Sequence, residues 1–286
     1  MTTWEIDFYR RPLQDEAGNP LWEWVVCDSD GTLKARTFCP QPAATAEWVL
    51  QQLQQILSQE EKLKPGDRPA LEKIQVFRPQ TLNLLEAPCK HLGISLEATR
   101  HTPNLKQLLQ ELAPGYSQMT GYIGQSRDLF ALDQPPPVPL DEQLQGHRWQ
   151  FASLPAGEIV DFFAGRMMPI LEIPEPFLPL KLGLPSTLPI PGVIIEGGRR
   201  SLRLAQWIQE NRPAALRYIP GAPDGLILEA SLVDRWILAT FDDPDVMTAA
   251  QNFEHRKQAS QGLHFLLIQP DNSGMTYSGF WLLLHQ

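Results

Sequence analysis

Between Trp4 and Leu57 the apolar side chains change period once, from two to about 3.6, and this change restricts the architecture more than any other feature of the chain. Trp4-Glu5-Ile6-Asp7-Phe8-Tyr9 alternates as a strand does, and Leu21–Cys27 and Leu33–Phe38 supply two more. Asp28-Ser29-Asp30-Gly31 joins the second pair as a hairpin turn in which Gly31 can take positive φ. From Pro42 onward, Ala46, Val49, Leu50, Leu53, Ile56 and Leu57 recur at helical spacing. A three-strand meander therefore leads into a helix that covers one of its faces.

The continuation extends this order. Lys62–Ala70 reads as a charged Pro/Gly loop, Ile74–Phe77 as a short strand, and Thr81–Leu92 as a helix interrupted or kinked at Pro88. Ile94–Glu97 is another strand. Thr102-Pro103 then caps a helix carrying Leu105, Leu108, Leu109 and Leu112 that ends at Pro114-Gly115. The order β-β-β-α-β-α-β-α is similar to that of the ribonuclease H-like fold, in which a meander continues into parallel strands through right-handed helical crossovers. The expected class is α/β with mixed sheets.

Between Ala113 and Gln150 the periodicity loosens, and the proline run from Asp133 to Leu140 suits extended chain rather than helix or central strand. A second proline-rich stretch, Pro169–Pro191, is too apolar for a free tether and is expected to lie packed across a domain surface. The predicted division is a domain at 1–115, a Pro-rich linker and packed extended segment at 116–191, and a C-terminal α/β domain at 192–286. Within the last, Val193–Glu196, Leu216–Ile219, Gly225–Ala230, Trp236–Phe241, Leu263–Ile268 and Gly279–Leu284 read as strands of a mixed sheet. Helices follow Gly197-Gly198 and Asp243-Pro244. The β-β-β-α-β order recurs here, which makes the C-terminal half a candidate duplicate of the first.

The formal net charge is −9, which argues against a surface coated in nucleic acid, because such affinity comes first from Lys and Arg neutralising phosphates. Any such contact must be local. No stretch approaches the roughly 20 apolar residues of a membrane span, and the N-terminus shows neither a signal-peptide nor a transit-peptide pattern, so a cytoplasmic setting is expected. Cys27, Cys39 and Cys89 form no Cys-x-x-Cys and are expected as reduced, mostly buried thiols.

Asp7 in the first strand and Glu47 in the first helix occupy places where a ribonuclease H-like enzyme keeps two of its metal-binding acids. Two-metal hydrolysis needs a further clustered carboxylate, and the end of the fourth strand reads Phe77-Arg78-Pro79 instead. Asp7 is accordingly expected in a structural ion pair, with Arg10 or Arg11 as partner, and no metal or cofactor is expected. The six histidines lack zinc-site spacing, and no nucleophile elbow is present. Gly197-Gly198-Arg199-Arg200, between a strand and a helix, is an anion-site candidate, with backbone N–H groups at the helix start and Arg199, Arg200 and Arg203 as counter-charge. Most tryptophans are expected in the core. Trp22 and Trp24 share one strand face that is either buried or a binding surface.

The opening Trp4-Glu5-Ile6-Asp7-Phe8-Tyr9-Arg10-Arg11-Pro12, the following Leu21–Asp28, the Thr-Pro-Asn-Leu at 102–105 and the closing Gly262-Leu263-His264-Phe265-Leu266 with Gly279-Phe280-Trp281-Leu282-Leu283 together resemble the Tab-type family. These are RNA-binding translation factors that algal and plant chloroplasts require for a photosystem I reaction-centre subunit, with cyanobacterial members. Trp4, Asp7, Phe280, Trp281, Leu282 and Leu283 carry the motif. The resemblance implies a non-enzymatic factor of the cyanobacterial type. Its partner would be messenger RNA at a 5′ leader, with the ribosome or photosystem assembly proteins as further partners. A local groove lined by Arg10, Arg11, Arg78, Arg199, Arg200 and Arg203 is the candidate RNA contact. The alternatives are a metal-dependent nuclease and an assembly factor that touches only proteins.

Overall fold

The computed structural model describes residues 2–63, 71–124, 130, 134–163 and 168–285. The chain forms two compact units, Met1–Asp133 and Gln134–Gln286.

The first unit runs β1 (Thr2–Gln14), β2 (Pro20–Asp28), β3 (Leu33–Pro40), α1 (Ala46–Leu63), β4 (Leu71–Val76), α2 (Pro79–Leu92), β5 (Ser95–Ala98) and α3 (Pro103–Leu112). Its sheet has the order β3-β2-β1-β4-β5. The first three strands pair antiparallel, and β4 and β5 join in parallel. This is the ribonuclease H-like fold. The turn after β2 forms because the Asp28 carboxylate accepts from the N–H groups of Asp30 and Thr32, while Gly31 takes φ 79°. Helix α2 runs through Pro88 rather than breaking there. The charged loop expected at Lys62–Ala70 lies, from residue 64 on, outside the described residues.

Alternation along β1 sorts its side chains onto two faces. Trp4, Ile6 and Phe8 pack with Trp24, Val26, Val49, Leu53 and Leu85, which belong to the core that α1 and α2 close. Each such buried aliphatic or aromatic side chain stabilises the fold by roughly 1.5–3 kcal/mol. Glu5 and Asp7 point to the opposite face, the one where Val25, Cys27 and Phe77 meet Leu105 and Leu109 of α3. Two carboxylates thus enter the interior, and each must find partners there.

The second unit contains β6 (Val138–Pro139), β7 (Arg148–Pro155), α4 (Ile159–Phe163), β8 (Ile170–Glu172), β9 (Pro189–Glu196), α5 (Ser201–Glu210), β10 (Pro213–Ile219), β11 (Asp224–Ala230), β12 (Asp234–Phe241), α6 (Pro244–Ala259), β13 (Leu263–Gln269) and β14 (Gly279–Leu284). These strands make two sheets, β10-β11-β12-β6 and β7-β9-β13-β14-β8. Leu216, Leu226, Leu228 and Phe241 of one sheet share a core with Val193, Ile195, Leu266, Ile268, Trp281 and Leu283 of the other. Residues 134–191 are therefore part of this unit, not a connector: they supply β6, β7, β8 and the start of β9.

The duplication expected from element order does not survive this topology. In the first unit the strand after α1 joins the meander sheet, whereas β13, after α6, pairs in parallel with β9 in the other sheet. Side chains take the place that a fourth strand would fill beside β10. Leu216 N donates to His264 Nε2 at 2.8 Å, its carbonyl accepts from Lys257 Nζ at 2.8 Å, and Tyr218 N donates to Glu254 Oε1 at 2.9 Å. Satisfied in this way, the edge of β10 offers no ladder for another strand.

Candidate functional site

In the first unit β4 accompanies β1 only from Thr2 to Glu5. Beyond that point the chain turns at Phe77-Arg78-Pro79 into α2, and the Thr81 hydroxyl occupies the backbone of Phe8, accepting from its N–H at 3.2 Å and donating to its carbonyl at 3.1 Å. The opening between the strands brings Arg78 to Asp7. Arg78 Nε lies 2.9 Å from Asp7 Oδ1 and Arg11 Nη2 lies 2.8 Å from Asp7 Oδ2.

Arg11 also reaches Glu23 Oε2 at 2.6 Å, Arg36 reaches Glu23 Oε1 at 2.7 Å, and the Tyr116 hydroxyl donates to Glu23. Asp7, Arg11, Glu23 and Arg78 are all buried. Burial alone would lower the Arg11 pKa, but Asp7, Tyr116 and Glu23 hold it above its ordinary value. Two buried carboxylates and two buried guanidinium groups form one network, joined at the surface by Arg36, in which removal of a buried member leaves an uncompensated charge.

This donor set does not fit a divalent ion. Both oxygens of Asp7 are engaged by arginine, the place at the end of β4 holds a fixed cation, and Glu47 is exposed on α1. Glu5, the other acid of β1, is used to start α3: its carboxylate accepts from Leu105 N at 2.7 Å and Asn104 Nδ2 at 3.0 Å. Burial raises its pKa and these bonds oppose the rise. The expected ion pair of Asp7 is thus present with Arg11, and Arg78 is a second partner that residue order did not indicate.

Three of the six arginines expected at an RNA groove lie in this unit, and they separate. Arg11 and Arg78 are core, so they are corrected from contact residues to structural ones. Arg10 is exposed, 5.6 Å from the centre of the Tyr9 ring, and has no acidic partner among the described residues.

In the second unit Arg199, Arg200 and Arg203 are exposed at the start of α5. The expected use of the glycine N–H groups does not hold. Gly197 N and Gly198 N donate to the carbonyls of Gln269 and Pro270, both at 2.9 Å, and Arg200 N donates to Gly197 O at 3.0 Å. The anion candidate is therefore a side-chain patch and not a backbone cradle. Strand register enlarges it. Arg148 of β7 stands opposite Glu196 at the end of β9, and His147 lies so close to Gly198 that a Cβ there would meet its ring at 2.7 Å. His147 and Arg148 are both exposed. Arg148, Arg199, Arg200 and Arg203 make no ion pair among the described residues, although Arg200 Nη1 contacts the Glu142 carbonyl at 3.5 Å.

Comparison with known proteins bears on what such a chain does. A family profile described as RNA-binding protein Tab2/Atab2 N terminal matches residues 3–112, and one described as the C-terminal domain of RNA-binding protein Tab2/Atab2 matches residues 127–284. The chain belongs to the Tab2/Atab2 family. Among curated relatives, a TAB2 homolog of Zea mays, named as chloroplastic, is 30% identical over 98% of this chain and 71% of its own length. The Arabidopsis thaliana TAB2 homolog, also named as chloroplastic, is 30% identical over 98% of this chain and 74% of its own.

Among solved structures, the catalytic core domain of BIV integrase aligns with a TM-score of 0.27 at 18% identity, over 41% of this chain and 66% of that one. The catalytic domain of Mos1 mariner transposase gives 0.30 at 14%, over 41% and 61%. The residues on which the resemblance rests, Trp4, Asp7, Phe280, Trp281, Leu282 and Leu283, are all buried. Trp4 belongs to the core that α1 and α2 close, and Phe280, Trp281, Leu282 and Leu283 to two cores of the second unit.

Proposed function

We propose that this chain is a non-enzymatic RNA-binding factor that supports translation or biogenesis of photosystem subunits, the photosystem I reaction centre among them, by contacting the 5′ leader of the messenger. The observation that carries this reading is the group of exposed arginines without acidic partners among the described residues, Arg148, Arg199, Arg200 and Arg203, on a chain whose net charge is −9. Phosphate recognition by an acidic protein requires such a local concentration of unpaired cations. The description of the family as RNA-binding supports it independently.

The absence of catalysis in this reading is supported by Asp7, whose carboxylate is neutralised by Arg11 and Arg78 and cannot also ligate the ions that two-metal hydrolysis uses. A cytoplasmic setting of the cyanobacterial type, with ribosomal or assembly proteins as further partners, belongs to the same proposal. Three buried free cysteines suit a reducing compartment. The test is filter binding of labelled leader RNA across a salt series. Binding that weakens with salt and is reduced in Arg199→Ala/Arg200→Ala/Arg203→Ala is the expected result, and absence of binding at low salt contradicts the reading in favour of a partner that is protein only.

A further inference from the structure

Where β4 leaves β1, the far end of the first sheet keeps aromatic side chains that the core does not fully enclose. Phe8 is buried, Trp22 and Trp48 lie against its ring half-buried, and Tyr9, the next residue of β1 and also half-buried, reaches this group through Trp22. Trp48 of α1 stacks on Phe8 with ring centres 4.9 Å apart, Trp22 of β2 meets Phe8 edge-on at 5.3 Å, and Tyr9 approaches Trp22 at 5.8 Å. Arg10, directly opposite Trp22 in the β1–β2 register, is exposed and lacks an acidic partner among the described residues.

We propose that Tyr9, Trp22 and Trp48, with Arg10, form a stacking platform for unpaired bases, so that the RNA this protein takes is single-stranded. The proposal rests on the RNA-binding reading above and adds to it the form of the ligand and a site in the first unit. Aromatic faces offer every base a partner irrespective of sequence, and an adjacent guanidinium supplies phosphate contact and a cation–π partner. A duplex hides its base faces and cannot use such a strip. The Tyr9 and Trp48 rings are held before any ligand arrives: Arg78, fixed by Asp7, lies 4.3 Å from the centre of the Tyr9 ring, and Trp48 stacks on buried Phe8. That preorganisation lowers the entropy lost on binding, and it gives the arginine-filled interior a consequence at the surface.

The experiment is fluorescence anisotropy of the full chain with labelled oligoadenylate, alone and annealed to oligouridylate. Single strands are expected to bind at least about fivefold tighter than the duplex. Tyr9→Leu and Trp48→Leu keep apolar bulk but remove the ring, and each is expected to weaken single-strand binding at least about fivefold. Tyr9→Phe and Trp48→Tyr retain it. Arg10→Gln, at an exposed position with no fold to disturb, is expected to weaken single strands more than duplex. If the leucine variants and Arg10→Gln bind single strands as the unmodified chain does, while loss of Arg199, Arg200 and Arg203 weakens binding, the platform is refuted and the RNA-binding reading stands. Equal affinity for both forms also refutes the platform. If neither form binds at all, the RNA-binding reading itself fails.

Discussion

Arg78 Nε lies 2.9 Å from Asp7 Oδ1, and both side chains are shut away from solvent. The cation that this acid position faces is part of the chain itself. Asp7→Asn removes the charge and leaves Arg11 and Arg78 buried with one carboxylate fewer. We expect a loss of about 3–5 kcal/mol of stability, read as a lower urea midpoint for the first unit. Glu47→Gln, at an exposed position, is expected to stay within about 0.5 kcal/mol of the unmodified chain. Equal midpoints for Asp7→Asn and Glu47→Gln would contradict the ion network.

The arginine patch of the second unit predicts a salt signature. For single-stranded RNA each phosphate neutralised contributes about 0.7 to the slope of log affinity against log salt. Replacing Arg199, Arg200 and Arg203 by alanine is expected to flatten the slope by about two units. Arg11→Ala, by contrast, is expected to lower the stability of the fold. A slope unchanged in the triple variant would remove the patch as the phosphate contact.

His264 predicts how the second unit responds to acid. Its Nδ1 lies 2.8 Å from the Gly262 carbonyl and its Nε2 accepts from Leu216 N, which requires the neutral ring with the proton on Nδ1. Burial and the nearby Lys257 push its pKa down from 6.5 to about 3. The unfolded chain takes up a proton below its ordinary pKa while the folded chain does not. Stability from this group is thus complete above pH 6.5 and declines toward pH 3 by about 1.4 kcal/mol per unit. His285 is also lowered, by burial and then Lys257, and acts in the same direction. Urea midpoints for the unmodified chain and His264→Gln, taken between pH 7 and about 4, should converge as pH falls. Parallel curves would contradict the assignment.

The thiols predict chemical inertness. Burial raises the pKa of Cys27 to about 12 and those of Cys39 and Cys89 to about 11. The thiolate is the reacting species, so native protein is expected to resist iodoacetamide at neutral pH and to react at all three positions in urea. Rapid labelling of native Cys27 would contradict the packing of the α3 face.

The first unit was legible because its periods are regular and local: alternation along β1, the Asp28–Gly31 turn and the stripe of α1 each follow from neighbouring residues. Even the unsuitability of the acid set could be read from Phe77-Arg78-Pro79, although its positive content, a guanidinium on Asp7, required the β1–β4 separation. Burial of Arg78 was not legible, since nothing adjacent in sequence announces a carboxylate 71 residues away, and that of Arg11 depends on Glu23 of the next strand as well as on the expected Asp7. In the second unit the prolines misled. Pro189 and Pro191 lie in β9 before its pairing with β13 begins at Gly192, so their missing N–H groups interrupt no ladder on that side. The alternating Trp149, Phe151 and Ser153 signalled β7, and with it Arg148 beside the arginine patch, but the loosened pattern around them obscured it. Separation of two sheets with similar element order is a matter of long-range pairing, which periodicity does not encode.

The most direct measurement is incubation of the purified chain with labelled single-stranded RNA and either magnesium or manganese, compared with Asp7→Asn. With guanidinium groups on both oxygens of Asp7, the RNA should be bound and recovered intact at every metal concentration, and Asp7→Asn should alter stability but not the RNA. Metal-dependent cleavage that vanishes in Asp7→Asn would contradict the account, since it would require the carboxylate to leave its arginines and hold an ion.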